Sequence, residues 1–380
     1  MNERPVRVLH VVGGMNRGGV ETWLMHVLRR VDRREVAMDF LVHVEEPCAY
    51  DEEILRLGAR IIQCPHTRRP LQYAQCLRTL LAGVEPYDVI HSHVHHFSGW
   101  VLHVARQARV RVRIAHSHSD TRAYQRAAGP VRKAYLTLMR HLLVRSATAF
   151  LSASEEAQLA LFGPRTADAR YRALECGIPL ERCSRSQDDS EFETIRSSLG
   201  ISGESVVIGH VGRFVHQKNH AFLLEIFAEL KKRVPEAHLL LVGGGRLEEQ
   251  TKRLASDLGV VDSVTFAGVR ADVETLMLHA MDVFVLPSVI EGLPLVLVEA
   301  QAAGLPCVIS DRVSPSADVV PGLVQRLSLE SSATAWTDQL VGALRASDHV
   351  DRAAALERVR ASAFNIETSV TRLMEVYGAR

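Results

Sequence analysis

The chain lacks the features that would carry it into or through a membrane. No apolar run approaches the ~20 residues needed to span a bilayer. The short VLHVV stretch near the start is flanked by charged and polar residues, unlike the core of a secretory signal. Six cysteines at 48, 64, 76, 176, 183 and 307 form no C-x-x-C pair and no disulfide-like cluster, which reads as reduced thiols in the cytoplasm. Aromatic residues make up 6% of the chain, and neither a stacking pattern nor a recognisable binding module accompanies its cations. Nucleic acid is therefore not an expected partner. The G-x-G-x-x-G dinucleotide fingerprint is missing, and so is a D-x-D run for a divalent ion.

What is present describes a globular protein of 380 residues, 47% hydrophobic and 23% charged, long enough for two domains of ordinary size. Its net charge of +1 hides an asymmetry. Residues 1–180 carry 25 Lys+Arg against 17 Asp+Glu, a net of +8. The rest carry 20 against 27, a net of −7. Between Arg106 and Arg145 ten cations face one acid, Asp120. Such a stretch suits an anionic membrane surface or a solvated helix face, and composition alone leaves both open.

Short apolar runs alternate with longer amphipathic segments from end to end. Strands are expected at Val6–Val12, Met38–Val44, Arg60–Gln63, Val89–Ser92, Val112–Ala115 and Ala149–Ser152, with helices such as Val20–Arg30 and Pro130–Arg145 between them. A second set is expected at Val206–Val211, His238–Val242, Val264–Phe266, Val283–Leu286 and Cys307–Ile309. This alternation predicts an α/β chain of two Rossmann-like, doubly wound domains with parallel sheets. Residues 1–180 form the first domain, the polar segment 181–202 a linker, and residues 203–364 the second domain. The last helix, 365–380, is expected to cross back onto the first.

Four segments carry chemistry-bearing residues. The most informative is PSVIEGLPLVLVEAQAAGLP, from Pro287 to Pro306, in which Glu291 and Glu299 stand eight apart in an apolar context. Gly292 and Pro294 turn the preceding strand into a helix, with Pro294 suited to the first helical position, so backbone amides can face a phosphate. The loop Gly212–Asn219 places Arg213 and Lys218 five apart, a pair able to clamp a diphosphate, and Asn219 is suited to cap the next helix. The loop Gly13–Gly19 ends in Gly18 and Gly19 at a helix start, where a ligand can approach the backbone. Histidines cluster at 91, 93, 95 and 96 and again at 116 and 118, at the carboxyl ends of two expected strands. The run His116-Ser117-His118-Ser119-Asp120 also fits the H-x-H-x-D ligand pattern of metal-dependent hydrolases, though Thr121 follows where another histidine is usual.

Together these segments resemble the family-4 retaining glycosyltransferases, over nearly the whole chain. Glu291 and Glu299 fit the family's E-x7-E motif, and Gly212-Arg213 with Gln217-Lys218-Asn219 and Gly18-Gly19 match as well. The opening HVVGGMNRGGVETWLMHVL and the later RIAHSHSD look closest to enzymes of bacterial exopolysaccharide and capsule assembly. The resemblance implies the GT-B fold of two facing domains and transfer of a sugar from a nucleoside diphosphate, UDP being the expected nucleotide, to a lipid-linked or saccharide acceptor. It implies no metal and no other cofactor.

Residue by residue, the resemblance implies that Gly212, Arg213 and Lys218 hold the diphosphate. Glu291 would grip the transferred sugar, and the amides of Gly292, Leu293, Pro294 and Leu295 would line the phosphates, Pro294 giving only its turn. Glu299 would take the ribose, and Val269 and Arg270 the base. His116 is the implied histidine beside the reacting sugar, grouped with Arg213, Lys218 and Glu291 as catalytic. Gly18, Gly19, His93 and His118 are expected on the acceptor side. The acceptor chemistry and the Arg106–Arg145 cations together suggest peripheral contact with the inner face of the cell membrane. Two positions depart from the family. Cys176-Gly177-Ile178 stands where Asn-Gly is usual, and the acidic residue often found after the second motif is not evident in SDRVSPSAD. A metal hydrolase using His116, His118 and Asp120, and a nonenzymatic nucleotide-sugar-binding subunit, are the rival readings.

Overall fold

A computed structural model describes residues 4–164, 167–183, 189–347 and 349–378. The chain divides into two compact units, Met1–Ile178 with Ile366–Arg380, and Pro179–Asn365.

In the first unit seven strands form one sheet: β1 (Val6–Val12), β2 (Val36–Val42), β3 (Ile61–Gln63), β4 (Val89–Ser92), β5 (Val112–Ser117), β6 (Ala149–Ser152) and β7 (Tyr171–Ala173). Their spatial order is β3-β2-β1-β4-β5-β6-β7, and every pairing is parallel. A parallel sheet is covered on both faces, so its strands read as near-continuous apolar runs; Val8, Leu9, Val11, Ile90, Ile114 and Phe150 are fully buried. The order reverses between β1 and β4, the switch point at which open α/β sheets leave a crevice outside their carboxyl ends.

The second unit repeats the plan with β8 (Val206–Val211), β9 (Ala237–Val242), β10 (Val264–Phe266), β11 (Val283–Leu286), β12 (Cys307–Ser310) and β13 (Val324–Leu327). These are ordered β10-β9-β8-β11-β12-β13, again all parallel, with the switch between β8 and β11. The core gathers Leu223, Leu224, Phe227, Leu239, Leu241, Val283 and Val285 around Trp336. Two parallel-sheet, Rossmann-like units of this kind are the doubly wound α/β architecture expected from the sequence.

Most strands fall within two residues of their expected bounds. The exceptions are β7 and β13, which were not expected at all. Both are edge strands, short and only partly buried, and their sequences YRA and VQRL carry an arginine instead of an apolar run. An edge strand needs no second apolar face, so the pattern that reveals central strands is weak there.

The segment expected as a linker contains a helix, Asp189–Ser198, that belongs to the second unit, while residues 184–188 lie outside the described ones. Its Arg196 is buried and bonds the Asp282 carboxylate at 2.8 Å and the Ser205 carbonyl at 2.6 Å. Of the last three helices, Ala333–Ser347 and Arg352–Arg360 lie in the second unit. The third, Ile366–Tyr377, rejoins the first. Its Ser369 hydroxyl donates to the Glu175 carbonyl and accepts from the Trp23 indole N–H.

Candidate functional site

In the second unit the site residues collect after β8 and β11, beside the switch point. The loop after β8 is held down by main-chain bonds from Gly212 N–H to the Val242 carbonyl (2.9 Å) and from Phe214 N–H to the Gly244 carbonyl (3.0 Å). That approach explains the glycines after β9. A Cβ on Gly243, whose φ is +142°, would stand 2.1 Å from the Gly212 carbonyl oxygen. One on Gly245 would stand 2.7 Å from the Phe214 oxygen. The loop after β11 is tied in by Val289 N–H donating to the Gln217 carbonyl at 2.8 Å.

Lys218 and Glu291 meet between these loops. The Lys218 ammonium bonds Glu291 Oε1 at 2.6 Å, and the buried Ser288 hydroxyl donates to the same oxygen at 2.7 Å. Ser310 in turn donates to the Ser288 carbonyl at 2.6 Å, fixing the hydroxyl that holds the carboxylate. The stem of Lys218 lies against Gly212, where a Cβ would come within 3.0 Å of Lys218 Cδ and Cε. Arg213 is exposed and has no partner among the described residues.

Two expectations need correction here. Pro294 is the residue before the helix Leu295–Ala302, not its first residue, because its ψ of 96° is extended. Asn219 occupies the position before the helix His220–Arg233, but its backbone is left-handed (φ 56°) and its side chain makes no capping bond. The turn after Glu291 still leaves donors free. Leu297 N–H is taken by the Pro294 carbonyl, whereas the amides of Gly292, Leu293, Leu295 and Val296 have no partner among the described residues. An N-terminus with open amides favours an anion.

Glu299 lies one turn further along that helix. It is half-buried and has no hydrogen-bond or ionic partner among the described residues. Burial, with a smaller contribution from the Glu274 carboxylate, pushes its pKa up to about 8. Val269 is exposed, and Arg270 forms a bidentate pair with Asp272 at 2.6 and 2.8 Å. Two buried histidines back the Gly212–Asn219 loop, beyond what the sequence suggested. His210 donates from Nδ1 to the Val285 carbonyl at 2.8 Å, and His220 stacks on Phe214 with centroids 4.2 Å apart.

In the first unit the histidines converge. Positions two apart on a strand share a face, so His91 and His93 at the end of β4, and His116 and His118 at the end of β5, line one side with His10 of β1. Tyr377 and Trp23, from the last helix and from the helix Gly19–Arg30, complete the cluster. The hydrogen bonds form one chain: Cys176 Sγ–His118 Nδ1 at 3.6 Å, His118 Nε2–His93 Nδ1 at 2.9 Å, His93 Nε2–His10 Nδ1 at 3.1 Å and His10 Nε2–Tyr377 Oη at 3.4 Å. It continues as Tyr377 Oη–His91 Nδ1 at 2.8 Å, His91 Nε2–His116 Nδ1 at 3.2 Å and His116 Nε2–Leu174 O at 3.3 Å.

A carbonyl can only accept and a thiol carries one proton, so the two ends fix the direction. All five rings are then neutral with the proton on Nε2. Burial lowers the pKa of each of them, to about 3 for His10 and His118 and well below the ordinary value for His91, His93 and His116. His10, His91 and His116 are inaccessible, whereas His93 and His118 are partly exposed at the mouth of the cluster. The structure thus places His116 behind the two histidines expected on the acceptor side, with both ring nitrogens occupied.

Asp120 is not part of this cluster. It makes a bidentate pair with Arg122, at 3.0 and 2.8 Å, so the H-x-H-x-D ligand set is not assembled. Gly18 precedes the helix Gly19–Arg30, and a Cβ there would meet only the tip of the flexible Glu21 side chain, 2.4 Å from Oε2. His10, Trp23 and Tyr377 escaped the sequence reading because each is a lone polar or aromatic residue in an apolar segment; only the fold brings them together.

Residues 18–177 match the family described as glycosyl transferase 4-like domain, and residues 191–354 the family of glycosyl transferases group 1. A Bacillus subtilis (strain 168) protein named as a glycosyltransferase, EpsF, is 37% identical over 99% of this chain and 97% of its own length. An Escherichia coli protein named UDP-Gal:alpha-D-GlcNAc-diphosphoundecaprenol alpha-1,3-galactosyltransferase is 33% identical over 36% of this chain and 35% of its own. The crystal structure of Anabaena HepE with UDP-glucose superimposes with a TM-score of 0.78 at 18% identity, covering 98% of this chain and 99% of that one, a likeness of fold.

Proposed function

The chain belongs to the group 1, GT4-like glycosyltransferases, and from that premise we propose that it is a retaining enzyme moving a hexosyl or N-acetylhexosaminyl unit from a UDP-sugar to a lipid-linked or saccharide acceptor. The observation that carries the donor assignment is Glu299: a half-buried carboxyl without a partner, one turn inside a helix whose first amides are also unsatisfied. A nucleoside diphosphate fills both vacancies, its ribose hydroxyls bonding Glu299 and its phosphates facing the amides of Gly292, Leu293 and Leu295. Arg213 and Lys218 add charge where the leaving diphosphate develops it, and Glu291 holds hydroxyls of the transferred sugar. Val269 and Arg270 flank the base. A clamp of this kind stabilises the departing nucleotide without a metal. Retention then proceeds by attack on the same face of the sugar, because no well-placed enzymic nucleophile stands out among the described residues.

UDP is favoured over other nucleotides by the names of two similar proteins, the UDP-glucose complex of HepE and the E. coli UDP-Gal enzyme. The latter name also supports a diphosphate-lipid acceptor, and the EpsF likeness supports exopolysaccharide synthesis. The acceptor side is assigned to the first unit, with His93 and His118 touching the acceptor, Gly18 and Gly19 giving it backbone access, and His116 set behind them. No helix among the described residues is long and apolar enough to cross a membrane. Exposed Tyr124, Val131 and Leu138 nevertheless stand among the exposed cations Arg126, Arg132 and Lys133. That combination suits docking on an anionic leaflet at the cytoplasmic face.

Thermal shift with UDP, GDP and ADP tests the donor. Stabilisation by UDP above the other two is expected, and no shift with any of them would overturn the assignment. Arg213→Ala should abolish transfer with the fold intact; near-normal turnover would remove Arg213 from the clamp. Tight UDP binding with no turnover across a broad acceptor panel would instead favour a nonenzymatic binding subunit.

A further inference from the structure

The histidine cluster of the first unit holds more imidazole than an acceptor subsite uses, and its donors are of one chemical kind. Five buried or half-buried rings and one thiol converge without a carboxylate among them. Hard cations such as Mg²⁺ and Ca²⁺ take oxygen ligands, so the set suits a borderline transition ion. Two triplets place one ligand nitrogen from each ring within 4.8 Å of the other two: His10, His91 and His93, and His93, His116 and His118. His93 belongs to both, so one ion at most can be bound.

We propose that His93, His116 and His118 form a binding site for a single divalent transition cation of the Zn²⁺ class, with its fourth position open to water at the mouth of the cluster. Three protein ligands and one open position is a recurrent zinc arrangement. The resting hydrogen bonds already prepare it. His93 Nδ1 and His116 Nδ1 both present lone pairs, because their protons sit on Nε2. His93 Nδ1 and His118 Nε2 are 2.9 Å apart, close to the ~3.3 Å edge of a tetrahedron built on Zn–N bonds of about 2.0–2.1 Å. The nitrogens left over have acceptors of their own, His10 Nδ1 for His93 and the Leu174 carbonyl for His116. Such outer bonds fix ring orientation in metal sites.

Only His118 must move its proton, from Nε2 to Nδ1, where it faces Cys176 Sγ. Two bonds give way: the one between His118 Nε2 and His93 Nδ1, both of which turn to the ion, and the one by which His91 Nε2 donates to His116 Nδ1. Glu21 and Glu175 act electrostatically on Cys176 at the same end, so carboxylates beyond the ligands offset part of the ion's charge. The second triplet is the poorer site, because His10 and His91 are both inaccessible and leave the ion no open route.

This site belongs to the first unit and the proposed donor residues to the second, and it is tested without turnover. The full-length protein, stripped with chelator, is titrated with Co²⁺ in place of Zn²⁺. One equivalent should give the visible absorption of tetrahedral cobalt and quench Trp23, whose ring centroid lies 5.4–6.3 Å from those of the three histidines. Zn²⁺ should displace it. His93→Ala and His118→Ala should lose the spectrum, and His10→Ala should keep it, with circular dichroism of each metal-free variant reporting the fold. Wild type without a tetrahedral cobalt spectrum would overturn the site whatever the variants do. Binding retained in His93→Ala would also overturn it, and loss in His10→Ala with retention in His118→Ala would transfer the ion to the other triplet. A UDP thermal shift on the zinc-free protein keeps the donor reading separately testable.

Discussion

The pairing of Lys218 with Glu291 makes a prediction whose sign is not obvious. In the donor-free enzyme the two groups meet at 2.6 Å with side-chain exposures of 17% and 13%, so each is largely withdrawn from water. The pair falls between an exposed salt bridge, worth about 0.2–1 kcal/mol, and a buried one whose breakage costs ~3–5 kcal/mol. A net coupling of about 1–2 kcal/mol follows. Lys218 cannot serve a diphosphate at full strength while it serves Glu291, so nucleotide binding must offset part of that coupling. Glu291→Gln keeps an oxygen able to accept from Ser288 and releases Lys218 from the carboxylate. UDP, which lacks the sugar, should then bind more tightly, by about 5–30-fold for 1–2 kcal/mol. Turnover of the UDP-sugar should fall, because the grip on the sugar is lost. Lys218→Met should weaken UDP in the wild-type background, and the double variant should resemble Lys218→Met alone. Isothermal titration of the four proteins with UDP, at one salt concentration, gives the cycle. Weaker UDP binding in Glu291→Gln would show that the pair acts as one unit on the phosphates, and would refute the reasoning.

Glu299 predicts a pH dependence. Its folded pKa of about 8 lies above the ~4.3 of an unfolded glutamate. The stability it contributes is therefore complete below the unfolded value and is lost as pH rises towards and through 8. Glu299→Gln should gain stability relative to wild type across that window, as read by urea unfolding followed at Trp336; a constant difference from pH 4.5 to 8 would contradict it. UDP binding at pH 7 should also release a proton if ribose hydroxyls stabilise the carboxylate, which titrations in buffers of different ionisation enthalpy detect. Gly243→Ala should drive a methyl into the Gly212 carbonyl oxygen, destabilising the second unit by ~1–3 kcal/mol and weakening UDP binding, since the loop must yield. Unchanged melting and affinity would show that the approach of the two loops is slack. Flotation with anionic liposomes, weakened by salt and by Arg132→Glu with Lys133→Glu, is expected from the exposed patch around Val131; binding indifferent to lipid charge would reduce it to solvated surface.

The readable and unreadable parts of the molecule divide along physical lines. Central strands were legible because burial on both faces forces a continuous apolar run, as in Val206–Val211 and Val283–Leu286, and their alternation with helices dictated parallel sheets. Edge strands β7 and β13 escaped because one unpaired side relaxes that demand. The residues proposed to hold the donor stood out in the sequence for a related reason. Phosphate recognition by a helix start needs a glycine or proline turn with charged residues at short range, and Glu291, Gly292, Pro294 and Glu299 lie within nine residues of one another. The histidine cluster is the opposite case. His10, His91, His116 and Tyr377 are separated by up to 367 positions, yet Tyr377 Oη reaches both His10 and His91. A strand-end histidine every second residue hinted at one face, but nothing local distinguishes His10 from a core histidine. Nor could sequence show that Asp120 turns to Arg122 and leaves imidazole alone at the site. Local motifs encode the contacts made to a ligand's phosphate, whereas the chemistry of the nest arises from strand order. The adjacency of β1, β4 and β5 across the switch point makes neighbours of rings that the chain keeps far apart.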